Sequence, residues 1–167
     1  MDSDSNGTSA DSSRHLLRHC VATLAYRAGK ALRNAPDGFG DIRVSAATRT
    51  SGEILAHMGD LLDWALSIAQ GMQRWRTSAP LPWVQEVRRF FAALGAFDEY
   101  LASDAPLSAA PGKLFQGPIA DALTHVGQIA TRRGVAGAPV RGENYFLADI
   151  AAGRVGPEQS PPRREFD

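Results

Sequence analysis

Four stretches of this chain place apolar residues at every third or fourth position, and each is bounded by helix-stopping signals. A 3.6-residue period gives a helix one apolar face, and such faces are buried only against one another, so the pattern predicts an all-α bundle. The first stretch runs from Ser13 to Asn34, with Leu16, Leu17, Cys20, Leu24 and Ala28 on its stripe, and Asn34-Ala35-Pro36-Asp37-Gly38 breaks it. The second opens on Thr50-Ser51-Gly52-Glu53, a hydroxyl cap with a carboxylate three residues on. It continues through Ile54, His57, Met58, Leu61, Leu62, Ala65 and Ile68, and Gly71 is its stop. The third begins at Pro82, a good first-turn residue, and carries Val84, Val87, Phe90, Phe91, Leu94, Phe97 and Leu101. The fourth begins between Leu114 and Pro118, follows Ile119, Ala122, Leu123, Val126 and Ile129, and ends at Gly134. A short extra C-terminal helix is expected over Asn144–Ala152, closed by Gly153.

The connections constrain how these helices can be arranged. Gly71 to Leu81 is eleven residues without a period, able to cover about 36 Å when extended. That length permits helices 2 and 3 to run parallel through a crossover, without requiring it. The link before helix 2 is long, and Ile42 and Val44 suggest a short extended piece. Residues 1–13 are rich in Ser, Asp and Gly without an apolar period and are expected to form a disordered tail. Residues 154–167, with three prolines among charges from Gly156 on, are expected to form a second tail, leaving 14–153 as the bundle. At 167 residues, one domain with a proper core is the natural outcome.

Composition then removes whole classes of function. No stretch approaches the roughly 18 uninterrupted apolar residues of a spanning helix, so no membrane partner is expected. The start lacks the basic and apolar segments of a signal peptide. Cys20 is the single cysteine, which rules out an internal disulfide and a thiolate metal cluster. A cytoplasmic location is therefore expected. With 18 basic and 18 acidic residues, and arginine pairs too scattered to form a stripe, no nucleic-acid surface is expected.

The histidines carry the chemical signal. His57 sits on the stripe of helix 2 with Ile54, Leu61 and Trp64. Asp121 and His125 in helix 4 are spaced i, i+4, so both project from one face and can reach a single ion. Gln128 and Arg132 prolong that polar row beside an apolar face, and each buried polar group needs a partner. The residues alone leave two readings open: a divalent-metal site, or a hydrogen-bonded core histidine beside a surface Asp–His pair. His15 and His19 are also i, i+4, but flanking Arg14 and Arg18 mark a solvent-facing row. Glu53 is accounted for by its capping box, Cys20 by the apolar face of helix 1, and Trp75 and Trp83 by packing.

Three segments resemble a known family. Ser51-Gly52-Glu53-Ile54-Leu55-Ala56-His57-Met58 looks like the helix-2 signature of DinB/YfiT-like proteins, and Asp121-Ala-Leu-Thr-His125-Val-Gly127-Gln128-Ile129 is similar to their helix-4 pattern. Leu17-Arg18-His19 to Tyr26-Arg27 also resembles a helix 1 of that superfamily, so the likeness covers roughly residues 14–153. The resemblance implies an up-down-down-up four-helix bundle, often dimeric, holding a divalent ion through three side chains. His57 matches the first family ligand and His125 the last; where the middle histidine is expected, this chain has Asp121. Aspartate serves Zn²⁺, Ni²⁺, Mn²⁺ or Fe²⁺ as a ligand, but it can instead orient His125, or mark a site that no longer binds metal.

The functional expectation that follows is a metal-dependent enzyme, a thiol-dependent transferase or related hydrolase acting on a small molecule, with a low-molecular-weight thiol as partner. Its metal ligands are His57, Asp121 and His125, and its substrate-binding candidates are Arg132, Gln128 and Trp64. The alternative is a non-catalytic helical dimer, a stress-related or ligand-binding module with a vestigial site. A homodimer is expected in either case, from the resemblance and from an apparent excess of aromatic side chains at Phe90, Phe91 and Phe97.

Overall fold

The computed structural model describes the backbone of residues 4–166 and the side chains of residues 11–166. The chain is mostly helical with little sheet. Its helices are α1 (Asp4–Leu32), α2 (Ser51–Ala69), α3 (Trp83–Ala102), the short α4 (Pro111–Leu114) and α5 (Ala120–Val135). A π-helical turn over Phe115–Ile119 joins α4 to α5 without a break. The first helix thus starts earlier than its apolar stripe; of the expected 1–13 tail, residues 1–3 lie outside the described residues.

The core-facing positions follow the predicted period except at Leu16 on the first stripe and Val84 on the third, which are exposed. On α1, Leu17, Val21, Leu24, Ala25 and Ala28 are buried, while Leu16 turns outward and Cys20 is half-buried. His15 and His19 are exposed. Helix α2 starts with the complete capping box: the Glu53 amide donates to Thr50 Oγ1 at 3.1 Å, and the Thr50 amide donates to Glu53 Oε2 at 2.6 Å. Gly71 stops it in the left-handed region at φ 83, where an added Cβ would also meet Ser108 Oγ at 3.0 Å. Phe90, Phe91 and Phe97 are all inside the core, at 0, 7 and 0% exposure, so no aromatic excess is left on α3 to argue for a dimer face.

Side-chain pairs give the helix directions. Arg89 reaches the Ala56 carbonyl, and Tyr100 Oη donates to the Ala69 carbonyl at 3.4 Å, so α2 and α3 run in the same sense. Arg18 pairs with Asp98 while Arg14 reaches the Leu101 and Ser103 carbonyls, so α1 opposes α3. His57 lies beside His125, and Arg132 reaches the Arg49 carbonyl, so α5 opposes α2. The parallel pair is made possible by the connection over 70–82, which folds back along α2 as a strap. Its Arg74 amide donates to Ser67 Oγ at 3.0 Å, its Ser78 amide to Asp60 Oδ2 at 2.8 Å, and its Leu81 amide to Glu86 Oε2 at 2.8 Å.

The segment after α5 departs most from expectation. The helix expected over Asn144–Ala152 is only a 3-10 turn, Tyr145–Leu147, opened by the Asn144 side chain accepting from the Phe146 amide. A longer helix would need an apolar face to bury, whereas Phe146 is 95% exposed and Leu147 points outward too. The sheet likewise lies elsewhere than Ile42–Val44. Strand β1 (Gly142–Glu143) pairs antiparallel with β2 (Glu165–Phe166), and Ile42 only adopts extended backbone while its carbonyl accepts from the Ser51 amide. Residues 154–166 are consequently laid against the bundle instead of trailing from it: Val155 is buried, and Lys30 joins Glu143 to Glu165 at 2.8 Å each. Tyr26 Oη donates to the buried Glu143 at 2.7 Å, locking β1 onto α1.

Candidate metal centre

The π turn sets up one half of the site. Pro118 has no N–H to offer the carbonyl one α-turn back, so the backbone widens by a residue there before α5 resumes. Asp121 and His125 follow in α5, one turn apart, and face α2. His57 comes from the middle of α2, whose opposed direction brings it level with that pair. Asp121 Oδ2 is 3.7 Å from His57 Nε2, and Asp121 Oδ1 is 3.5 Å from His125 Nε2. The two imidazoles meet edge to face with centroids 4.9 Å apart. One donor atom from each of the three residues lies within 4.8 Å of the others; among the described residues this is the His/Cys/Asp/Glu group placed to hold a metal ion.

The chemistry of the donor set fits a first-row divalent ion. Donors around a tetrahedral ion with bonds of about 2.0–2.1 Å lie about 3.3 Å apart. The two carboxylate–imidazole separations are close to that, and all three donor atoms lie within 4.8 Å of one another, so small side-chain rotations suffice to complete the set. Gln128 supports this: its Oε1 is 3.0 Å from His125 Nδ1. An amide oxygen accepts there, which assigns the proton to Nδ1 and leaves the Nε2 lone pair facing Asp121. Exposure is graded across the group, with side chains 11% exposed at His125, 20% at His57 and 48% at Asp121. The ring nitrogens are therefore sheltered while the carboxylate side is open to solvent, which leaves room for water or a ligand on that side.

Burial pushes the His57 imidazole below its usual range, and the positive charges of Arg49 and of a protonated His125 push it further down; Asp121 and Asp60 pull the other way. A neutral His57 is the form that ligates a metal.

The three substrate-binding candidates occupy different positions relative to these donors. Gln128 holds His125, so its visible role is to position that ring. Arg132 is buried and turned to backbone: it donates to the Gln128 carbonyl at 3.2 Å and to the Arg49 carbonyl at 3.1 Å, with Nε lacking a partner. Its fork ties α5 to the entry of α2. Trp64 is half-buried and packs edge to face on Trp75 at 5.7 Å, one ring removed from the donors. Glu53 stays in its capping box.

Trp75 is the residue that the sequence pattern assigned to packing alone. The strap carries it onto His57, with centroids 5.6 Å apart at 66°. The signal was available in principle: a crossover folding back from Gly71 must carry its early residues along α2, and Trp75 is the large apolar one among Gln73, Arg74 and Arg76. Compared with family models, curated proteins and solved structures, the chain matches none.

Proposed function

We propose that the chain is a metal-dependent protein of DinB/YfiT-like architecture, an up-down-down-up bundle whose His57, Asp121 and His125 hold one Zn²⁺, Ni²⁺, Mn²⁺ or Fe²⁺. The observation that carries this reading is the convergence of three donors from two opposed helices, with Gln128 directing the His125 lone pair towards the same point. The shared sense of α2 and α3 supports the architecture. A divalent ion held there supplies the Lewis acidity that lowers the pKa of a thiol or water, the chemistry of a thiol-dependent transferase or related hydrolase. The protein's own contribution is positional. Asp121 brings the negative charge and the open side, the α2 and α5 backbones fix the two rings, and the strap closes the site next to His57. A small molecule, with a low-molecular-weight thiol as nucleophile, is the substrate class this arrangement suits. Screening thiol conjugation with and without added metals tests it: activity removed by chelator and by His57→Ala is expected. A stable, metal-free and inactive protein would instead favour the non-catalytic module.

The pH dependence of metal binding follows from His57. Its neutral form persists below the ordinary imidazole value near 6.5, because burial disfavours its charge. Proton competition at this ligand therefore sets in at lower pH than for an ordinary imidazole, and metal affinity should decline as the solution is acidified from neutral pH. A titration series at constant ionic strength reads this; affinity that rises on acidification would contradict histidine ligation.

A further inference from the structure

We propose that Trp75 forms the recognition wall of the metal centre, selecting small molecules that join a metal-binding donor to an aromatic ring or other flat apolar group. The proposal rests on the metal reading above and extends it to the substrate. Four rings stand in a row leading to the donors: Trp64, Trp75, His57 and His125, with successive centroids 5.7, 5.6 and 4.9 Å apart and each contact edge to face. Trp75 is the member of that row with the most open surface, 47% exposed, and it stands on the strap instead of on a helix. An indole left half in water beside a donor set is apolar area that a bound ligand would cover.

The strap holds the ring in place on both sides. Ahead of it, the Arg74 amide donates to Ser67 Oγ and the Arg74 carbonyl accepts from the same hydroxyl at 3.3 Å. Behind it, the Ser78 amide donates to the buried Asp60, and the indole Nε1 itself donates to Thr77 Oγ1 at 3.1 Å. With its one polar atom satisfied and both flanks pinned, the ring offers a preorganised surface whose ordering entropy is already met before a ligand arrives. The open side of the donor set is the Asp121 side, so a ligand entering a free coordination position over that carboxylate adjoins His57, the ring on which Trp75 packs.

Two hydroxamates with the same metal-binding head test the wall without assuming a reaction. On Zn²⁺-loaded protein, benzohydroxamate is expected to bind about 10-fold more tightly than acetohydroxamate, the gain of one ring packed on an indole. Trp75→Ala should reduce that ratio to about 3-fold or less with Zn²⁺ affinity unchanged within about 2-fold, and Trp75→Phe should retain most of it. Trp83→Phe, an indole that packs on Phe39 away from the donors, serves as the comparison and should leave the ratio near its parent value. Binding of benzohydroxamate should also quench the indole emission in the parent and much less in Trp75→Phe. Zn²⁺ binding without an aromatic preference, or with a preference that survives Trp75→Ala, overturns the wall alone. Protein that binds no Zn²⁺ overturns the wall and the metal reading together.

Discussion

Arg89→Ala is expected to destabilise the protein by about 3–5 kcal/mol, the range for removing one partner from a buried ion network. Arg89 on α3 is the countercharge for Glu86, fully buried, and for Asp60, 3% exposed, at 2.6 and 3.0 Å. It also donates to the Ala56 carbonyl and lies 3.7 Å from Asp63. The guanidinium packs so closely on α2 that a Cβ at position 59 would lie 2.8 Å from Nη2. Without Arg89, two buried carboxylates remain near one another, each with a single strap amide: Ser78 for Asp60 and Leu81 for Glu86. The retained amides set the effect towards the lower end of the range. Urea unfolding at pH 7 should show a lower midpoint with an unchanged slope. An unchanged midpoint at neutral pH would contradict the network. Because two of the three strap anchors, Asp60 and Glu86, belong to it while Ser67 does not, the same variant should loosen the strap on the Ser78 side of Trp75.

The second large effect is on metal affinity. Asp121→Ala removes the charged donor that stands 3.5 and 3.7 Å from the two imidazoles, and binding should weaken about 10-fold or more. The helix should survive, since the side chain is half-exposed and alanine is the best helix former. Asp121→His should keep binding, with preference moving towards metals that favour imidazole. Competitive titration of both variants reads the result against an unchanged far-ultraviolet spectrum. A carboxylate that only orients His125 would give a smaller loss, and equal affinity in Asp121→Ala would remove it from the ligand set.

The helices were legible because their signals are local. The capping box at Thr50–Glu53, the stop at Gly71 and the apolar periods each need only a few neighbouring residues, and each is found in place. The Asp121–His125 pair was legible for the same reason, as a spacing within one helix, and His57 joined it through the pattern of helix 2. What escaped depends on contacts distant in sequence. Glu143 holds Tyr26 and Lys30 across more than a hundred residues, so the seating of the C-terminal segment has no local mark, and its prolines suggested a tail. The spacing of Arg132 placed it on the polar row, while the Arg49 carbonyl that it reaches lies outside its own helix and leaves no mark in that spacing. Gln128 is next to that row for a different reason, as the hydrogen-bond partner of His125. The apparent aromatic excess on α3 failed because Phe90, Phe91 and Phe97 are all buried in the core, a wider arc of the helix than one stripe covers.

Equilibrium titration of untagged, chelator-stripped protein with Zn²⁺, Ni²⁺, Mn²⁺ and Fe²⁺, each in competition with an indicator of known affinity, tests the metal centre most directly. About one ion per chain is expected, with binding lost on His57→Ala and on His125→Ala and with Trp75 emission quenched by the paramagnetic ions. A parent protein with no measurable affinity for any of the four would contradict the account.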